Sequence, residues 1–459
     1  MKASLLLCFG LFWLYSCTPS NDNDQKNTEA AKPNIIFIMV DDLGYGDLGV
    51  YGQEVIQTPN IDQMAAEGRR YTQCYTGSPV CAPSRSTLMT GLHTGHTTVR
   101  GNKSPVPVPA NISPNPVRVP LFDEDVTLAE VFKSAGYVTG MFGKWGLGEH
   151  GSAGEPNDQG FDEWLGFLNQ KRAHNHYVDY FWNNKDTFQL EGNSPKYNAS
   201  NVTYSHDLFT QHALNFVDQH QDTSFFLYLP YCLPHDGYQI PQEDTLRFSD
   251  KDWKPNEKVY AAMVEKIDQD VGSLFSKLKA LELDKNTLVF FCSDNGAARR
   301  WEGRFNSSGA LKGKKRDMYE GGIRTPMIAW MPELVPENTV STTPWYFPDV
   351  MPTLASAAGI DYPENIDGIS IWQDIQGEAF ELPERYMYWE FHEKAFFQAI
   401  RWKDWKGVRV GLTGSLELYD LSNDPAESND ISGEHPDIVE KLEVFLQEAR
   451  TESPYWSAK

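Results

Sequence analysis

Alternating strand and helix signals predict an α/β fold. The expected architecture is a large, mainly parallel or mixed sheet sandwiched by helices, followed by a smaller C-terminal α+β region with an antiparallel sheet. Three observations carry this. Ile35–Val40 is a continuous apolar run, as in a strand buried on both faces. Pro255–Leu281 sets Val264, Ile267, Val271, Leu274, Leu278 and Leu281 on one helical stripe. After about Asp361, short aromatic runs replace the earlier alternation.

The remaining elements follow in chain order. Thr127-Leu-Ala-Glu130 has the form of a capping box, opening a helix with Leu128, Val131, Phe132 and Ala135 on one face and Gly136 as its stop. Strands are expected at Tyr137–Phe142, Phe225–Leu229, Thr287–Cys292 and Arg324–Trp330. The C-terminal region should hold strands at Tyr386–Phe391, Ala395–Trp402 and Lys406–Val410, then a helix at Pro436–Ala449.

The N-terminus reads as a processing segment. Lys2 precedes the apolar run Leu5–Leu14, too short to span a bilayer, and then Tyr15-Ser16-Cys17. This resembles the lipobox of bacterial lipoproteins and implies cleavage before Cys17 with a lipid on its thiol. The expected organisation is a signal peptide at 1–16, a lipid-anchored tether at 17–32, a main α/β domain at 33–361 and a C-terminal α+β subdomain at 362–459. The implied location is the cell envelope, in the periplasm or at the outer membrane, with membrane contact only through Cys17. Cys74, Cys81, Cys232 and Cys292 are scattered without metal-ligand spacing. The net charge of −23 argues against nucleic acid, although a cleft can still focus a local cationic field.

The unusual polar residues fall where strands should end, the place where open parallel sheets bind ligands. They are Asp41-Asp42, Gly143-Lys144-Trp145-Gly146, Pro234-His235 and Ser293-Asp294-Asn295-Gly296. Asp41, Asp42 and Asp294 on one rim would repel one another without a cation, and Asn295 adds a neutral oxygen. An all-oxygen set of this kind points to Ca²⁺ or Mg²⁺ rather than Zn²⁺. Asp and Asn before Gly also serve simply as turn residues. Cys81-Ala-Pro-Ser-Arg85, continuing to Gly91, has Pro83 near a helix start and Gly91 at its end. Cys81 would then lie at a helix N-terminus, where an anion is favoured, either as a nucleophile or as a small buried apolar residue.

Cys81-x-Pro-Ser-Arg85 followed by Leu88-x-Thr-Gly91 resembles the signature of the type I, formylglycine-dependent sulfatases, of the alkaline-phosphatase-like superfamily. The likeness extends over Pro33–Gly44, Gly143-Lys-Trp, Pro234-His235, Ser293–Gly296, Lys315 ahead of Tyr319-Glu-Gly-Gly, and Leu418–Pro425. It implies that a formylglycine-generating maturation enzyme oxidises Cys81, and that Ca²⁺, ahead of Mg²⁺, rests on Asp41, Asp42, Asp294 and Asn295. It assigns Arg85 to holding position 81, Lys144 and Lys315 to the sulfate oxygens, and His235 to protonating the leaving oxygen. One position departs from the family pattern: Gly146 stands where a histidine is common, and His174 or His176 is the expected substitute imidazole.

The implied substrate is a sulfated glycan, with galactose or N-acetylgalactosamine esters as the narrower expectation. Arg172, His174, His176, Trp301 and His392 are the candidate substrate-binding residues, each near an expected rim or domain junction. Two other functions fit parts of the pattern. A phosphonate or phosphate ester hydrolase would share the metal-rimmed fold, and a non-catalytic glycan-binding surface lipoprotein would explain Gly146.

Overall fold

The strand run Ile35–Val40 is so apolar because it is the centre of the molecule. In a computed structural model describing residues 32–194, 202–299, 301, 304–393 and 395–458, the first strand, β1 (Asn34–Val40), is buried throughout. The signal peptide and all but the last residue of the tether lie outside the described residues. Further strands follow as β2 (Arg69–Tyr75), β3 (Val138–Lys144), β4 (Glu163–Phe167), β5 (Tyr180–Asn183), β6 (Asp186–Gln189), β7 (Phe225–Pro230), β8 (Thr287–Ser293), β9 (Arg324–Trp330), β10 (Thr339–Ser341) and β11 (Trp345–Tyr346).

These eleven strands form one sheet in the order β10-β2-β9-β8-β1-β7-β3-β4-β5-β6, with β11 beside β2. The centre, β8-β1-β7-β3-β4, is parallel, whereas β9 runs antiparallel between β8 and β2, and β5 and β6 extend the far edge antiparallel. The sheet is therefore mixed around a parallel core.

Period-two alternation along β1 divides the core into two layers. Ile36, Ile38 and Val40 pack with Phe209, Phe216, Val264 and Ile267, from the Ser205–Gln219 and Pro255–Ala280 helices. Ile35, Phe37 and Met39 pack with Leu88, Phe132 and Leu354, from the Cys81–Thr90, Leu128–Ser134 and Val350–Ala358 helices. Burying each of these large apolar side chains contributes about 1.5–3 kcal/mol. The Thr127 capping box forms as expected, its hydroxyl accepting from the Glu130 amide while the Glu130 carboxylate accepts from the Thr127 amide.

The second sheet orders β12 (Tyr386–Phe391), β13 (Phe397–Trp402), β14 (Trp405–Val410) and β15 (Glu417–Asp420), antiparallel throughout. One face carries Leu442 and Leu446 of the Pro436–Glu448 helix against Ile400 and Leu418. The other packs Trp389, Phe391 and Val408 onto Tyr75, Val80 and Met318. Trp389 also donates its indole N–H to the Thr76 carbonyl at 2.7 Å. The small sheet thus braces both the chain entering Cys81 and the loop carrying Lys315. Both sheets belong to one compact unit, residues 32–459. No helix among the described residues is long and apolar enough to cross a membrane.

Candidate active site

The strand register brings four distant segments to one rim. β1 pairs with β8 so that Val40 lies opposite Ser293, which places Asp41-Asp42 beside Asp294-Asn295. Lys144 closes β3, and His235 follows β7. Asp42 has φ +70°, a left-handed turn that Asp tolerates and that reverses the chain at the strand end. Gly296 has a packing reason: a Cβ there would sit 2.0 Å from the Gly321 carbonyl oxygen. Its amide donates to Gly322 O at 3.0 Å, joining the Asp294–Gly296 turn to the Tyr319–Gly322 segment.

The Cys81–Thr90 helix lies below this rim, all ten residues buried, and Gly91 ends it at φ +69°. Its first residue faces the carboxylates. The Cys81 thiol donates to Asp41 Oδ1 at 3.4 Å, and Lys315 Nζ lies 3.4 Å from Sγ. Arg85, one turn on, donates from Nε and Nη2 to Asp294 Oδ2 at 3.1 and 2.8 Å and from Nη1 to the Lys144 carbonyl. Lys144 donates to Asp41, and Lys315 to Asp42 at 2.5 Å. Arg85, Asp41 and Asp294 have no solvent exposure, so these charges interact in a poorly screened medium.

His235 Nδ1 lies 2.8 Å from Asp236 Oδ1, which leaves Nε2 facing Asp42 Oδ2 at 3.5 Å. Burial alone would depress the imidazole pKa, but Asp42 and Asp41 outweigh it and hold the pKa well above the ordinary value. For Asp41, burial pushes upward, whereas Lys144, His235, Arg85 and Lys315 together hold the carboxyl well below its usual range.

A cation fits this donor set. Asn295 Nδ2 donates to Asp42 Oδ1 at 2.8 Å and to Gly296 O at 2.9 Å, two acceptors that fix the amide orientation. Its Oδ1 is buried without a hydrogen-bond partner. A buried uncommitted carbonyl beside three carboxylates is a hard-cation donor set. Ligand atoms of Asp41, Asp42, Cys81 and His235 also lie within 4.8 Å of one another.

The structure brings Cys81, Arg85, Lys144, His235, Lys315, Asp41, Asp42, Asp294 and Asn295 together. The five substrate-binding candidates separate. His174 and His392 line a cleft of about 820 Å³ together with Lys103, Arg118, Lys171 and Arg316. His174 pairs with Asp236 at 3.3 Å and packs edge-on against His235, whereas His392 Nε2 is engaged by Glu390 at 2.9 Å.

Arg172, His176 and Trp301 are not among the residues lining that cleft. Arg172 is tied to Asp179 and lies over the Tyr180 ring, 3.7 Å from its centroid. His176 is fully buried, with neither ring nitrogen hydrogen-bonded. Burial lowers its pKa to about 3. Trp301 packs on Tyr238, Tyr260 and Phe305 and lines a separate cleft of about 700 Å³ with Lys254, Arg299 and Lys314.

The space beside Gly146 is not held by an imidazole. A Cβ at Gly146 would meet Gln170 Nε2 at 2.7 Å and then Arg85 Cδ at 3.9 Å. Gln170 accepts from Arg118. Sequence reasoning passed over Asp236, although it adjoins His235. It also passed over Lys103, Arg118 and Lys171, which come from irregular segments without periodicity.

Comparison with known proteins agrees with this geometry. The sulfatase family model matches residues 33–360, and a model of the C-terminal region of N-sulphoglucosamine sulphohydrolase matches residues 313–452. N-acetylgalactosamine-6-sulfatase of Sus scrofa is 35% identical over 461 residues, covering 91% of this chain and 85% of that protein. The crystal structure of Ps i-CgsB in complex with k-i-k-neocarrahexaose superposes with a TM-score of 0.79 at 29% identity, covering 93% of this chain and 95% of the other. The phosphonate monoester hydrolase of Agrobacterium radiobacter, at 18% identity, TM-score 0.65 and coverage of 91% and 95%, shares the fold alone. With the family model spanning most of the chain, this protein belongs to the sulfatase family and is a sulfuric ester hydrolase.

Proposed function

We propose that the protein removes sulfate from a sulfated carbohydrate of galactose or N-acetylgalactosamine type, with formylglycine made from Cys81 as nucleophile and Ca²⁺ as the bound cation. The observation that carries this is the position of Cys81, at a helix start and 3.4 Å from both Asp41 Oδ1 and Lys315 Nζ. Similarity to N-acetylgalactosamine-6-sulfatases and to a structure holding a neocarrahexaose supports the sugar class. The segment Leu5–Cys17 supports export and anchoring in the cell envelope.

When present, formylglycine supplies a hydroxyl nucleophile, and a divalent cation on Asp41, Asp42, Asp294 and Asn295 polarises a sulfate oxygen. The chain's own residues do the rest. Arg85 is locked by Asp294 and the Lys144 carbonyl, which fixes its charge one helical turn from position 81 and supports the role of holding the nucleophile. Lys144 and Lys315 hold buried ammonium groups on Asp41 and Asp42, beside Cys81, where charge develops in the transition state. His235, whose pKa Asp42 and Asp41 hold well above the ordinary value, is the imidazolium: it donates Nδ1–H to Asp236, which orients the ring, and passes its Nε2 proton to the departing sugar oxygen.

The test is sulfate release from an aryl sulfate and from defined sulfated saccharides, by protein coexpressed with the maturation enzyme. Mass analysis of the Cys81 peptide must show the modification. Turnover of aryl sulfate and of a galactose-type sulfate ester is expected. Modified protein that cleaves an aryl phosphonate but no sulfate ester would overturn the reading.

A further inference from the structure

A cleft that adjoins the candidate active site, through His174 packed on His235 and Gln170 beside Gly146, carries more positive charge than one sulfate ester needs. Its volume is about 820 Å³, and Lys103, Arg118, Lys171 and Arg316 are on its wall. Arg316 is already paired, with Glu393 at 3.0 Å. The other three are not: among the described residues none of them lies within ion-pair distance of a carboxylate. In a chain with 63 acidic and 40 basic residues, three unpaired cations on one wall are an unexpected concentration.

Arg118 is the most informative. It is half-buried, and its guanidinium is bonded to the neutral Gln170 amide oxygen. Burial lowers its pKa, with Glu149, Cys81 and Glu393 opposing only at longer range. A partly desolvated cation with no carboxylate in ion-pair contact carries a cost that a bound anion would offset. Gln170, which fixes the guanidinium, also fills the space beside Gly146, so Arg118 is held at the edge of the catalytic site. In the proposed reading the reacting sulfate has its own cations, Lys144 and Lys315, beside Asp41 and Asp42 and not on the wall of this cleft.

We propose that Arg118, Lys103 and Lys171 form a second anion subsite, which binds a sulfate or carboxylate group carried by the substrate in addition to the sulfate ester that is cleaved. The proposal rests on the sulfatase reading only in that substrate enters through this cleft. An anion held here sets which sugars reach Cys81 productively.

The test is equilibrium binding to the full-length Cys81→Ala protein in calcium. Three probes are compared: N-acetylgalactosamine 6-sulfate, its 4,6-disulfate, and the 6-sulfate joined to a uronic acid. One doubly anionic probe is expected to bind about tenfold tighter than the monosulfate, with a steeper salt dependence. Whichever probe gains the advantage identifies the second anion as sulfate or carboxylate. In Arg118→Ala, and in the Lys103→Ala, Lys171→Ala pair, whose sites are exposed and should fold normally, that advantage should fall below about twofold. Equal binding of the three probes, no binding of any, or an advantage that survives both sets of changes would overturn the subsite. Failure of modified wild type to release sulfate from an aryl sulfate would instead defeat the catalytic reading, whatever the binding results.

Discussion

Two buried clusters of charge draw on the same stretch of chain, Lys315 to Glu320, and they are organised differently. Around Glu320 the charges close on one another. Lys406 Nζ lies 2.9 Å from Glu320 and 2.8 Å from Glu427, without exposure on any partner. Arg324 adds an ion pair to Glu320 at 3.2 Å, and Tyr75 donates a hydrogen bond to it at 2.8 Å. Around Asp42 the charges surround a space, and Asn295 Oδ1 is left without a partner. Buried charge alone therefore does not identify a site. A cluster with internal partners fixes one sheet to the other, and a cluster with an uncommitted donor is prepared for something that arrives.

Mutations should separate these two roles, the largest effect first. Cys81→Ala should reduce sulfate release by about four orders of magnitude or more, equivalent to about 5 kcal/mol, because the nucleophile is gone. Its urea midpoint should stay close to wild type, and a large drop would mean the thiol is structural. Lys406→Ala should do the reverse. It leaves Glu427 as a buried carboxylate without its ion-pair partner, and Glu320 with Arg324 and Tyr75 alone, and should cost about 3–5 kcal/mol of folding free energy. Denaturation measures that loss, and the protein that remains folded should retain kcat. A Lys406→Ala variant of normal stability would make the comparison meaningless.

Glu390 gives a pH handle on the closed type of cluster. Burial pushes its carboxyl upward, but the His392 hydrogen bond and the Arg100 and Arg450 charges bring it down to about 2 from an ordinary 4.5. A group depressed in the folded state stabilises above its unfolded pKa and loses that contribution as pH falls through its folded pKa. On the order of 3 kcal/mol should therefore disappear between pH 4.5 and 2, and Glu390→Gln should flatten that part of the stability curve. The smallest effect concerns the open cluster. Calcium at about a hundred times its Kd should raise unfolding free energy by about 2.7 kcal/mol, and Asn295→Ala should remove much of that gain. Identical melting with calcium and with a chelator would sink the cation reading.

Much of this was legible in the sequence because strand ends and glycine turns leave local marks. Asp41-Asp42, Asp294-Asn295 and Cys81–Arg85 each adjoin an apolar run or a helix stop, so their convergence followed from one sheet. The expected strand Arg324–Trp330 matches β9 in its limits, but its antiparallel direction depends on a long-range pairing that no local pattern encodes. β2 escaped notice because Arg69-Arg-Tyr-Thr-Gln-Cys-Tyr75 mixes charges with partly exposed positions, and β5 and β6 are four-residue strands at the far end of the sheet. The cleft residues were read least well. Arg172 and His176 have suitable chemistry, yet contacts with Asp179 and Tyr180 turn one aside and full burial removes the other. Arg118 has no periodic signal, and its isolation from carboxylates is visible only in three dimensions.

The complete burial of the helix that begins at Cys81 has a consequence for the order of events in the cell. A second protein cannot grip ten residues that are all buried in the folded chain. If Cys81 is converted as proposed, the enzyme that does so would have to read the segment as an open stretch of chain, before the fold buries it. The supply of active molecules would then depend on a contest between modification and folding. On that proposal a chain that folds first would stay inert for its lifetime, correctly shaped and lacking only the modified side chain.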